Sequence, residues 1–256
     1  MIKFFRKIRQ KLISEKKFSK YLIYAIGEII LVVIGILIAL SINNWNQNTQ
    51  KKEQEIVYYC KIKEDLQNDQ RNIQRSIESL NDRIVSAKNL LVNLYKQLDD
   101  KSILINDYIP AIRSYHFIPS KAAIEDITSS GKLENFNNSQ LKASILQHYS
   151  DLEYAMNVLK QNQQDFSKLS YEYEDKIAFG YHLIPLYKDY FGEELIKEMP
   201  NTNWQKDKEN VLFKQFQDHI SMSIIIGARE KELLKQINSS TKKLELELEQ
   251  HCGNSN

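Results

Sequence analysis

From Tyr21 to Ile42 fourteen of twenty-two residues are Leu, Ile or Val. About 20 predominantly apolar residues suffice for a helix to cross a bilayer, so this stretch predicts a membrane span. Glu28 lies a third of the way along it. The fourteen aliphatic residues contribute about −6 kcal/mol to insertion and one mid-helix acid costs about +3 kcal/mol, so the carboxylate does not prevent it. Neither Gly nor Pro then occurs from Ile36 to Ile109, and within that run an apolar heptad predicts a long packed helix over about 44–99. One set of seam positions is Tyr59, Leu66, Ile73, Leu80, Ala87 and Leu94. The other is taken as Ile56, Lys63, Gln70, Ile77, Ile84, Leu91 and Leu98. The seam is clean from Ile73 onward, through Ile77, Leu80, Ile84, Ala87, Leu91 and Leu94.

Pro110 and Pro119 break the pattern, and a short helix is expected between Ser120, as its N-cap, and Gly131, as its left-handed stop. A second long helix is predicted over 138–178, with Leu141, Ile145, Tyr149, Leu152, Met156, Leu159, Phe166, Leu169, Tyr173 and Ile177 as its stripe. A third is predicted over 205–250, through Phe213, Phe216, Ile220, Ile224, Leu234, Ile237, Leu244 and Leu248. An aromatic-rich connection with Gly180, Pro185, Gly192 and Pro200 joins them. No strand signal and no repeat stand out. The fold class is all-α: one transmembrane helix continuing into a long-helix bundle or coiled coil, with short connections favouring antiparallel neighbours in an up-down-up order.

Charge sets the orientation. Residues 1–20 hold eight Lys or Arg against Glu15 alone, and the chain beyond the span holds 27 basic against 31 acidic residues. The positive-inside rule puts the N-terminus in the cytoplasm. The parts are then a cytoplasmic basic amphipathic segment (1–20), a transmembrane helix (21–42) and a periplasmic helical domain (43–256). Tyr21 and Tyr24 suit the inner interface and Trp45 the outer. The apolar stretch is longer than a signal-peptide core and ends on only a weak Ala39-Leu40-Ser41 site, so an uncleaved signal anchor is expected. Ile2, Phe4, Phe5, Ile8 and Leu12 recur at helical spacing among the N-terminal charges. That pattern fits a helix on anionic lipid rather than a nucleic-acid patch.

At 100° per residue Glu28 shares a stripe with Gly35 and Ala39, small residues that let helices approach closely, while Ile26, Ile30, Val33 and Leu37 form the opposite, greasy face. Glu28 is therefore expected to face another helix. Three roles are open to it: a protonated carboxyl that binds like helices together, a partner for a basic residue on another membrane protein, or an ion-coupling group.

Candidate chemistry is sparse. His116, His148, His182, His219 and His251 show no ligand spacing, so no metal is expected. "TSSGK" lacks the Gly required at Asp126 and the Ser or Thr required at Leu133 for a phosphate loop. No nucleophile elbow or dinucleotide turn occurs. No cofactor and no enzymatic activity are expected. An up-down-up bundle would hold Cys60 and Cys252 at opposite ends, beyond the roughly 7 Å that a bridge tolerates. Unpaired or intermolecular cysteines are the expectation.

"MIKFFRKIRQKLISE" followed by "KYLIYAIGEIILVVIGILIALSINNWN", with the Gly27-Glu28 pair, and the later "SSGKLENFNN" resemble a bacterial domain-of-unknown-function family of single-span membrane proteins. The resemblance implies a Gram-negative inner-membrane protein projecting into the periplasm, and brings no catalytic residues. The expected function is a non-enzymatic single-pass protein whose periplasmic domain self-associates or binds other envelope proteins. The alternatives are a sensory or adaptor ectodomain signalling through a partner, and an ion-coupled, stator-like subunit using Glu28. Expected partners are the membrane, further copies of the chain, and another inner-membrane or periplasmic protein, with no nucleic acid.

Overall fold

The computed structural model describes residues 18–113 and 117–252. Residues 1–17 of the basic segment, the side chains of Phe18, Lys20 and Tyr21, residues 114–116 with His116, and residues 253–256 lie outside what is described. The described chain is all-helical, without a strand. Its elements are α1 (Phe18–Tyr95), α2 (Ser102–Asn106), α3 (Tyr108–Ile112), α4 (Ala122–Ser129), α5 (Ser139–Tyr171), α6 (Lys176–Phe179), α7 (Pro185–Phe191), α8 (Glu193–Glu198) and α9 (Val211–Cys252), with 3-10 turns between some of them.

Two compact units divide the chain. The first is α1 as far as Ile56, with 135–137. Its apolar stretch is long and hydrophobic enough to cross a membrane, with a mean hydropathy of 2.8 over an eighteen-residue window in which no residue is buried. Near its end, both oxygens of the Glu55 carboxylate accept hydrogen bonds from Asn137, one from the backbone N–H and one from the side-chain amide, each at 2.9 Å.

The second unit, residues 57–134 and 138–256, is a bundle with an unexpected chain order. From Val57 the remainder of α1 runs to Tyr95 and ends where Gln97 takes a left-handed φ of 52°, with its side-chain amide donating to the Lys206 carbonyl. After α2 and α3 the chain turns back along α1: Ser120 meets Asp69, Ala123 meets Asp65, and Asp126 meets Tyr58. Phe117 to Lys121, outside any helix, and the short α4 therefore lie on the return. The long α5 then runs parallel to α1, with Phe166 against Arg83. Of the described long helices, only α9 runs antiparallel to α1. Cys60 pairs with Cys252, Lys63 with Glu249, Gln67 with Glu245, and Tyr95 with Gln217, so each step forward on α1 is matched by an equal step back on α9.

That order overturns the expected up-down-up bundle and, with it, the reading of the cysteines. Cys60 and Cys252 form an intramolecular disulfide with Cα atoms 5.4 Å apart. The stretch between Asp100 and Asn138 is a full return passage, so the last helix ends beside the start of the unit.

Local chemistry explains the boundaries. Ser120 does not cap α4. Its backbone N–H and that of Ala123 are taken by Asp69 and Asp65 of α1, at 2.7 and 2.9 Å, so the Ala123 N–H, one of the orphan donors of this helix, is met across the bundle. Gly131, at φ 69°, follows its end as expected. Asn138 caps α5 by accepting from the Leu141 N–H. The helix stops at Tyr171, and Asp175 accepts the N–H groups of Ile177 and Ala178 and starts α6. Tyr173 and Ile177 thus belong to the turn and to α6 rather than to the stripe of the second long helix. Where α1 ends, an aromatic core gathers Tyr108, Tyr173, Phe179, Trp204, Phe213 and Phe216. Trp204 stacks on Phe179 at 5.4 Å and donates its indole N–H to the Phe179 carbonyl.

The bridge closes a loop with a sequence separation of 192, for which chain entropy alone gives about 5 kcal/mol, and native bridges usually contribute about 2–5 kcal/mol. The intact chain should run as a monomer on a non-reducing gel, faster than when reduced. Cys60→Ser with Cys252→Ser should lose about 2–5 kcal/mol in denaturant unfolding of the detergent-solubilised protein.

Candidate functional site

The residues on α1 that are most buried from Tyr59 to Leu94 alternate three and four apart. One heptad set, Tyr59, Leu66, Ile73, Leu80, Ala87 and Leu94, matches the sequence expectation. The other is Ile62, Asp69, Ser76, Arg83 and Leu90, all buried. Of the expected companion residues, Ile77 is buried, while Ile84 and Leu91 are half-buried at the seam's flank. Polar side chains therefore occupy three consecutive core layers. Ile77 and Ile84 are more apolar than Ser76 and Arg83 one position before them, so hydrophobic periodicity alone points to the wrong set. The missed signal has a counterpart on α9, where Ser223, Gly227 and Glu230, between Ile220 and Leu234, lie buried or in contact with α1.

Each polar layer is built differently. Ser76 returns its hydroxyl to the Asn72 carbonyl. Arg83, 1% exposed, donates from Nε to the Ser223 hydroxyl at 2.9 Å and from one terminal nitrogen to the Ser223 carbonyl at 3.1 Å. The other terminal nitrogen stands 3.5 Å from the Glu230 carboxylate, and the guanidinium lies 4.7 Å over the Phe166 ring. Burial pulls Arg83 down and pushes Glu230 up, each opposed by the charge of the other. Asp69 accepts from Ser120 through one oxygen. Its other oxygen, and the nearby Tyr149 hydroxyl, are buried without a partner among the described residues. Burial raises Asp69 to about 6, with the Ser120 hydrogen bond opposing and the neighbouring Asp65 charge adding to the rise.

Beyond Phe166 lies His219, with ring centroids 4.8 Å apart. Its Nδ1 is 2.9 Å from the Tyr108 hydroxyl and its Nε2 3.4 Å from that of Ser170. Burial, aided by the Arg83 charge, lowers His219 to about 4, so the imidazole is neutral. A cleft of about 340 Å³ opens beside these layers. Leu80, Phe117, Met156, Leu159 and Leu234 give it apolar walls and Glu230 a carboxylate. Met156 and Leu159 continue the stripe of α5 yet are only half-buried, because the cleft lies where a packing partner would be. Its size falls in the range of small-molecule sites. Among the described residues no group of three His, Cys, Asp or Glu could hold a metal.

The sequence-predicted membrane stripe lies in the first unit. Glu28 is half-exposed, Gly35 and Ala39 are exposed, and a side chain added at Gly35 would meet nothing within 4 Å.

Truncating one member of a buried ion pair leaves the other charge uncompensated, which costs about 3–5 kcal/mol. Arg83→Met should lose that much in denaturant unfolding, and Arg83→Met with Glu230→Leu should regain most of it. The pH dependence is a separate check. Asp69 is raised above its unfolded value of 3.8, so its contribution is full below pH 4 and is lost as pH rises through 6. His219 is depressed from 6.5, so its contribution is present above 6.5 and is lost as pH falls through 4. The two slopes oppose each other in one window. Asp69→Asn should tilt the stability profile so that acidification from pH 7 to 4 costs about 1–3 kcal/mol more than in the parent, measured by unfolding across that range.

No curated protein and no solved structure matches the chain. Residues 28–172, more than half of the chain, match the Family of unknown function (DUF6090), and the chain belongs to that family.

Proposed function

We propose that this is a single-pass inner-membrane protein with its N-terminus in the cytoplasm. Tyr21–Ile42 crosses the bilayer, and a disulfide-closed helical domain in the periplasm works by binding other envelope proteins rather than by catalysis. The observation that carries this reading is the Cys60–Cys252 bridge. Disulfides persist in oxidising compartments and are rare in the cytosol. The bridge follows an apolar span whose N-terminal flank is strongly basic, the two features that place a following domain outside.

Self-association is assigned to the span. Ile73, Leu80, Ala87 and Leu94 are covered within the chain, so that seam is not available to a second copy. The Glu28, Gly35 and Ala39 stripe remains for it, with the Glu28 carboxyl group hydrogen-bonding between like helices. A second reading, a sensory or adaptor domain, is favoured by the apolar cleft beside Glu230.

Solubilised gently from its native membrane, the protein should require detergent for release. It should be recovered at a small multiple of its own mass or with envelope proteins in fixed ratio, identified by mass spectrometry. Recovery as a free soluble monomer would end the proposal. Glu28→Gln, which still donates a hydrogen bond, should leave that assembly and function intact. Loss of function with assembly unchanged would instead make Glu28 the ion-coupling group of a stator-like subunit.

A further inference from the structure

Lys101 stands just beyond the end of α1 and is 5% exposed. Buried ammonium groups are ordinarily paired with a carboxylate, as the buried Arg83 is with Glu230. Lys101 is not: its Nζ donates to the Thr202 carbonyl at 2.7 Å, and among the described residues no carboxylate pairs with it. Burial pulls this ammonium below its usual range with no opposing charge. Two more polar atoms beside this segment lack partners among the described residues: Nδ1 of His182, a residue 1% exposed, and the side-chain carbonyl of Gln205, also 1% exposed. Neither residue carries a negative charge that would balance Lys101. Burial, and after it the Lys101 charge, lowers His182 below its usual range.

Lys101 forms part of the wall of a cleft of about 470 Å³ between α2, the turn before α7, and Asn201. Lys188 brings a second cation to it, and Asn106 and Asn201 bring amide donors. The acid at its rim, Asp100, is engaged by Ser102, whose N–H donates at 2.8 Å and whose hydroxyl donates at 2.6 Å. We infer that this cleft binds a small molecule bearing a carboxylate or phosphate group, which supplies the counter-charge that Lys101 lacks. The site goes beyond the partner-binding reading and does not rest on it.

The test uses the full chain in detergent, with inorganic phosphate and succinate as probes and chloride at matched ionic strength as control. At least one probe should raise Tm in a saturable way. Lys188 is exposed and its replacement leaves the core intact, so Lys188→Met should fold normally and bind about tenfold more weakly. Lys101→Met should abolish the shift, while Lys235→Met on α9 should leave it unchanged. The inference is overturned if neither probe exceeds chloride. It is equally overturned if Lys188→Met responds like the parent, since the response would then come from adventitious ion binding elsewhere.

Discussion

Because Arg83 is buried against α9, its charge has to be met where it stands, by the Ser223 hydroxyl and carbonyl and the Glu230 carboxylate. A slide of α9 by one turn, about 5.4 Å, would carry all three away and leave a full charge in an apolar seam. Leucine layers discriminate far less between such registers, whereas one polar residue at a core position can specify one. Much else in the second unit depends on that register. It sets Cys252 opposite Cys60 and Glu245 opposite Gln67. It also brings Gly227 under Ile84, where an added Cβ would come within 3.1 Å of the side chain.

The helical class, the apolar stretch and three of the long-helix positions were legible from periodicity, because each helix buries one continuous stripe. The direction of those helices was not. Connection length suggested antiparallel neighbours, but Phe117 to Lys121 lies along α1 outside any helix, and no periodicity marks a passage of that kind. The polar layers were hidden for the opposite reason. Asp69, Ser76 and Arg83 break the alternation that defines a seam, so a hydrophobic search replaced them with Ile77, Ile84 and the flank. Their partners on α9 are a serine, a glycine and a glutamate, visible in sequence only as a gap. Lys101 gave no signal at all, since an isolated lysine before a short helix reads as surface.

The two clefts follow from the same compromises. Along the middle of α5 the neighbouring layer is built from Arg83 and Glu230 rather than from large aliphatic groups, and Met156 and Leu159 are left partly uncovered. At the end of α1 the chain turns through α2, α6 and the Trp204 turn, which pack tightly around Phe179 and Phe216 but leave the Lys101 side less filled. Polar interiors of this kind trade packing density for defined geometry. A domain that has to recognise something gains concave surface by the same trade.

The return passage also bears on how the bundle assembles. Helical proteins usually fold quickly because their contacts are local in sequence, whereas here Arg83 meets a partner 140 residues away and Lys63 one 186 residues away. The entropy of closing such loops has to be met before the contacts that reward it can form. An all-helical domain with this connectivity should form its local helical contacts early and draw its first and last segments together late.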